Sequence, residues 1–130
     1  EAANLPNLVT ATLHGHMLTV AEINYTEGYD AEFWRSQLPQ IAIERIIDNA
    51  KANSFDQLII DEAQDILAPE YLDFLDLSLA GGLSSGNWFF FGDFEKQAIY
   101  EKRDSIVTQM SQRFQKHTKN CRIHSPAWKP

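Results

Sequence analysis

The chain has 130 residues, enough for one domain of ordinary size and a real apolar core. With 44% hydrophobic residues, 6 Gly and 5 Pro it is neither disordered nor collagen-like, and no apolar run approaches the ~20 residues that span a bilayer. Eighteen acidic against 11 basic residues leave a net charge of −7, which excludes a whole-surface electrostatic grip on nucleic acid.

The charge is uneven. From Lys96 onward stand Lys96, Lys102, Arg103, Arg113, Lys116, Lys119, Arg122 and Lys129 against Glu101 and Asp104, so a local basic end is expected. The single cysteine, Cys121, has no partner for an internal disulfide, which fits a reducing compartment. With no signal-peptide pattern at the N-terminus, a cytoplasmic location without membrane contact is expected.

Taken in chain order, Leu8–Leu13 (LVTATL) is short and β-branched and reads as a strand. On such a strand His14 and His16 alternate and share a face, too few ligands for a metal site and better suited to a polar surface or a nucleic-acid contact. Asp30 reads as the N-cap of a short helix carrying Phe33 and Trp34, which Pro39 ends or follows with a second helix. Ile43, Ile46, Ile47 and Ala50 fall at helical spacing, giving an amphipathic helix to about Ala52.

Gln57–Ile60 then reads as a strand buried on both faces, closing directly onto Asp61. Pro69 opens a helix with Leu72, Leu75 and Leu79 on one face, stopped by Gly81-Gly82. After a loop at Ser84-Ser85-Gly86, Trp88-Phe89-Phe90-Phe91 reads as a second core strand, ending at Gly92-Asp93. Ser105 caps a last helix with Ile106, Val107, Met110 and Phe114, and Thr118–Ile123 reads as a further strand. Strands alternating with helices indicate βαβ units on a parallel sheet. Both core strands end in an acidic residue at the carboxyl edge, where open α/β sheets place their ligands.

The segment Ile60-Asp61-Glu62-Ala63-Gln64-Asp65 carries the chemistry. An apolar strand holds two adjacent carboxylates on rigid backbone. Hard oxygen ligands of this kind suit Mg²⁺, which binds through one or two carboxylates plus nucleotide phosphates. Asp61 then reads as the metal residue and Glu62 as the base that polarises water, with Glu62 also within reach of the metal. Solvation of a turn, with Asp65 capping the next element, is the simpler reading of such carboxylates when nothing else accompanies them.

Here more accompanies them. DEAQD resembles motif II, the Walker B box, of superfamily 1 helicases of the UvrD/Rep type. Phe89-Phe90-Phe91-Gly92-Asp93-Phe94-Glu95-Lys96-Gln97-Ala98-Ile99-Tyr100 is similar to that family's motif III. Lys119-Asn120-Cys121-Arg122 resembles its N-[YC]-R box, and Thr12-Leu13-His14-Gly15 is similar to the TFH segment before motif II. The resemblance implies an α/β fold of three layers, a mostly parallel sheet of the RecA-like P-loop NTPase type, here incomplete. It also implies site roles: Asp61 on Mg²⁺, Glu62 activating water, Gln64 and Gln97 at the bound ATP, Arg122 stabilising charge on the γ-phosphate, and Tyr100 along a single-stranded DNA groove, where His14 is a further contact.

Two departures stand beside the resemblance. Nothing matches G-x-x-x-x-G-K-[ST], the phosphate loop that ATP binding needs, and Glu101-Lys102-Arg103-Asp104 stands where the family continues with an aromatic, an Arg and a Gly. Residues 1–130 are therefore expected to be part of one RecA-like motor domain, with the Walker A segment and the second motor domain elsewhere in a parent protein. The piece alone is expected to be inactive, and to self-associate where the strand edge meant for the phosphate-loop strand is bare. The competing expectation is a catalytically dead module that holds nucleic acid or a protein through its basic end.

Overall fold

The computed structural model describes residues 5–49, 54–66 and 68–92, and the backbone of 121–124. Three strands, β1 (Gln57–Ile60), β2 (Asn87–Phe91) and β3 (Cys121–His124), form a parallel sheet in the order β1-β2-β3. Leu58 lies opposite Trp88 and Ile60 opposite Phe90, and because side chains alternate along a strand these four share one face. Trp88 and Phe90 are fully buried, with Leu58 and Ile60 packed against the core they anchor.

Among the described residues no helix packs on the other face. Ile59 is 64% exposed, its register partner Phe89 on β2 is half-buried, and Phe91, two residues further along β2, is 39% exposed. The expectation that Gln57–Ile60 is buried on both faces is therefore corrected: the described helices all pack on the Leu58–Trp88 side.

Leu8–Leu13 is not a strand. Leu8 and Val9 are 54% and 60% exposed with no strand beside them among the described residues, and α1 (Leu13–Ala21) starts at Leu13. Thr12, in extended conformation, caps it by accepting the Gly15 N–H at 3.0 Å. Met17, Val20 and Ala21 recur at helical spacing and are buried, which outweighs the β-branched run before them. The pairing of His14 and His16 on one face goes with the strand: two positions apart on a helix, they point to different sides. His16 packs between the rings of Phe55 and Phe74, 5.5 and 5.8 Å away, and His14 against Trp34 and Tyr71.

Asp30 caps the next helix as its sequence suggests, its Oδ1 accepting the Phe33 N–H at 2.9 Å. Pro39 neither breaks this helix nor starts a separate one. A π-helical turn (Phe33–Gln37), closed by the Leu38 N–H on the Phe33 carbonyl, runs straight into α2 (Leu38–Asp48). Pro39 then sits in the first turn of α2, where a missing N–H costs little. The buried stripe is Leu38, Ala42 and Ile46. Ile47 is 65% exposed, against the expected face, and α2 ends at Asp48, short of Ala52. Ala50 lies outside the described residues.

α3 (Pro69–Ser78) buries Tyr71, Leu72, Phe74 and Leu75 against α2. Leu79 is buried too, but beyond the helix end, where Phe55 pairs with it: the Phe55 N–H donates to Ser78 O and the Ala80 N–H to Phe55 O, both at 2.8 Å. Gly81 takes φ +81°, turning the chain into a short α4 (Gly82–Ser85) where a loop was expected. The Leu83 N–H donates to Asp76 Oδ1 at 2.7 Å, and the Leu83 carbonyl accepts the Trp88 indole N–H at 2.8 Å. The expected helix from Ser105 lies outside the described residues.

His16 gives the fold a pH dependence. Its Nε2 is buried without a partner, and desolvation lowers its pKa from the ordinary 6.5. The unfolded chain binds that proton more readily, so the stabilising contribution is full above 6.5 and is lost as pH falls below it. The urea midpoint should drop between about pH 7.5 and about pH 5.5, and His16→Leu should flatten that drop. An unchanged pH slope in His16→Leu would contradict the assignment.

Candidate nucleotide site at the strand ends

At the carboxyl end of β1 the chain turns sharply. Glu62 adopts φ +54°, the left-handed region that a non-glycine side chain rarely occupies. The Glu62 N–H donates to Asp61 Oδ1 at 2.9 Å, which holds the turn and leaves the second Asp61 oxygen outside that bond. A 3-10 turn (Ala63–Ile66) follows, with the Asp65 N–H on the Glu62 carbonyl at 3.1 Å. Both Asp61 and Glu62 are exposed, whereas Ala63 and Gln64 are buried beneath them.

Gln64, 7% exposed, turns its carboxamide back toward the turn and donates through Nε2 to Glu62 Oε2. That contact restricts the Glu62 carboxylate. Strand β2 meets the same turn at Gly92. A Cβ there would run into Gln64 Oε1 and lie 3.0 Å from the Ala63 nitrogen and 3.1 Å from the Gln64 nitrogen. Only glycine lets the end of β2 approach this closely. The DEAQD turn and the Gly92 end of β2, separated in sequence by a helix and a turn, thus meet backbone to backbone at adjacent strand ends.

A hard divalent cation needs oxygen ligands, and Asp61 offers one here. No group of three or more His, Cys, Asp or Glu side chains stands together among the described residues. Such a donor set fits an Mg²⁺ ion held mainly by water and nucleotide phosphate, the usual way this ion binds, and does not fit a free-standing protein-only cation site.

The other expected site residues are distributed differently. Arg122 is on β3, where its backbone pairs with Phe89, three residues before Gly92 on the neighbouring strand. Gln97 and Tyr100 lie outside the described residues. His14 is not near the strand ends: it sits on α1, with Nε2 2.9 Å from the Tyr71 hydroxyl, which in turn donates to the Trp34 carbonyl at 3.2 Å. Burial lowers the pKa of His14 and raises that of Tyr71, so the pair is neutral near pH 7.

His14 opens onto a groove of about 420 Å³ that it shares with Ala31, Trp34, Arg35 and Tyr71. Sequence reading singles out His14 and Trp34 but not this cluster. The one signal for it is the density of rings from Tyr25 to Trp34, since Tyr71 joins from 37 residues away.

No protein-family model matches the chain, and no curated protein or solved structure matches it. Among the described residues no helix is long and apolar enough to cross a membrane.

The Gly92 contact is testable. Gly92→Ala should lower stability by about 1–3 kcal/mol in urea unfolding, the range for forcing atoms into a packed site. Adding Gln64→Ala should recover only part of the loss, because the two backbone nitrogens remain in the way. Wild-type stability in Gly92→Ala would show that the strand ends do not meet this way.

Proposed function

We propose that this chain is part of the first motor domain of a superfamily 1 DNA helicase or translocase, with a RecA-like fold. In this reading the parent protein couples ATP hydrolysis to movement on single-stranded or partly duplex DNA. The observation that carries it is the meeting of the DEAQD turn and the Gly92 end of β2 at the carboxyl edge of a parallel sheet. Those are the two segments with the strongest family resemblance, and they converge where α/β sheets bind ligands.

The residues then divide the work. Asp61 keeps a carboxylate oxygen for Mg²⁺, an ion that, when bound with ATP, offsets phosphate charge. Glu62 orients the attacking water and takes up its proton. Gln64, bonded to Glu62 Oε2 from below, acts as a positioning residue that fixes the carboxylate against rotation. Gln97 and Arg122 keep the γ-phosphate roles that the resemblance implies, and Tyr100 its place beside the strand. Binding of ATP depends on a phosphate loop supplied by the rest of the parent, so residues 1–130 alone are inactive. The chain's partners are the remaining helicase domains and DNA, its location is cytoplasmic, and in isolation it self-associates through the free edge of β1.

The experiment is ATP hydrolysis by the parent protein. Glu62→Gln should cut DNA-stimulated turnover by roughly 10²–10⁴-fold while ATP still binds, the loss expected for a positioned general base. Asp61→Ala should abolish the Mg²⁺ dependence along with turnover. Near-wild-type rates in both variants would refute the reading.

A further inference from the structure

We infer that the groove between α1, the π-helical turn and α3 holds the C-terminal residue of a partner peptide: Arg35 takes its free carboxylate, the His14 ring accepts its amide N–H, and its apolar side chain packs on Trp34 and Ala31. The acceptor is set before any ligand arrives. In the π-helical turn the Leu38 N–H goes to the Phe33 carbonyl and Pro39 has none to give, so the Trp34 carbonyl takes its hydrogen from the Tyr71 hydroxyl at 3.2 Å. That commits the only hydroxyl hydrogen. The 2.9 Å contact between His14 Nε2 and the Tyr71 oxygen is then one that His14 donates, which puts the ring proton on Nε2 and leaves Nδ1 with its lone pair. Partial burial holds the ring neutral near pH 7, so Nδ1 stays an acceptor there.

Tyr71 itself is buried and belongs to the floor of the groove. The accessible walls are His14, which is exposed, and Trp34, which is half-buried, their ring centroids 5.2 Å apart and their planes 49° from parallel. Rings at that angle make a corner for a branched side chain rather than a parallel slot for a flat one. Ala31 stands three residues before Trp34 and four before Arg35, so a small side chain opens the helix face that the other two share. Charge selects the occupant. Arg35 is exposed at the groove, takes part in no ion pair among the described residues, and presents the fork that fits a carboxylate. Glu70, the acid that also acts on Tyr71, does not line the groove, and its Oε2 is buried. An acceptor, an apolar corner and a cation match the amide N–H, side chain and carboxylate of a chain end. The groove is open, which lets the rest of the peptide leave toward solvent.

The test is fluorescence anisotropy of an N-terminally fluorescein-labelled peptide of about eight residues, ending in leucine with a free carboxylate, titrated with residues 1–130. Saturable binding is expected. It should weaken at least about tenfold when the same peptide ends in a carboxamide, in Arg35→Gln, and in His14→Phe, which keeps a ring but removes the acceptor. The carboxamide comparison needs no variant, and wild-type urea midpoints in the two variants separate lost binding from lost folding. The inference is overturned by no rise in anisotropy, by equal affinity for the carboxamide, by equal affinity in Arg35→Gln (the carboxylate then belongs to the basic end), or by equal affinity in His14→Phe. Displacement of the peptide by an equal concentration of oligothymidylate would also overturn it, by making the groove a nucleic-acid surface. Because Asp61 and Glu62 are untouched, failure here leaves the hydrolytic reading standing, and failure of the ATPase test leaves the groove.

Discussion

The structure depends on the burial of one strand. Trp88 and Phe90 on β2 are fully buried, their rings 4.5 Å apart, and the indole N–H is satisfied by the Leu83 carbonyl. A buried Trp carries a large apolar area but tolerates the core only if its N–H finds an acceptor. Asp76 makes that acceptor available by taking the Leu83 N–H and so holding the α4 turn in place. With β2 fixed as the central strand, β1 and β3 pair on either side, and Gly92 arrives at the DEAQD turn. The site geometry follows from core packing more than from any contact within the site.

Among the described residues, one face of the sheet is apolar and has no helix against it. Ile59 and Phe91 would not remain at 64% and 39% exposure in a sheet covered on both sides. The described residues make two layers: the sheet and the helices on its Trp88 side. Ile59 and Phe91 form an apolar surface on the opposite side of the sheet.

Much of the fold was legible in the sequence where apolar runs are short and sharply bounded. Gln57–Ile60 and the Trp88–Phe91 run are strands as read, because Asp61 and Gly92 end them with residues that no core strand continues. The Asp30 cap was legible because its partner is three residues away. The errors arose where a local pattern competed with tertiary contacts. LVTATL has β propensity but no neighbouring strand, and the Thr12–Gly15 cap begins a helix whose apolar spacing continues to Ala21. Pro39 has the sequence signature of a boundary, yet the π turn before it runs directly into α2. At the site, the adjacency of Asp61 and Glu62 could be read from spacing. The buried Gln64 beneath Glu62 and the close approach of Gly92 could not, since both depend on the register of β1 against β2. The aromatic groove was hidden for the same reason, its walls coming from three separate elements.

The strand ends that carry Asp61 and Gly92 are proposed to belong to a nucleotide-hydrolysing core. The most direct measurement is the coding sequence upstream of Glu1. A G-x-x-x-x-G-K-[ST] box following an apolar strand is the result predicted, because Asp61 and Glu62 need a phosphate cradle to act on ATP. A start codon close to Glu1 with no such box would contradict the motor reading and leave a binding module in its place.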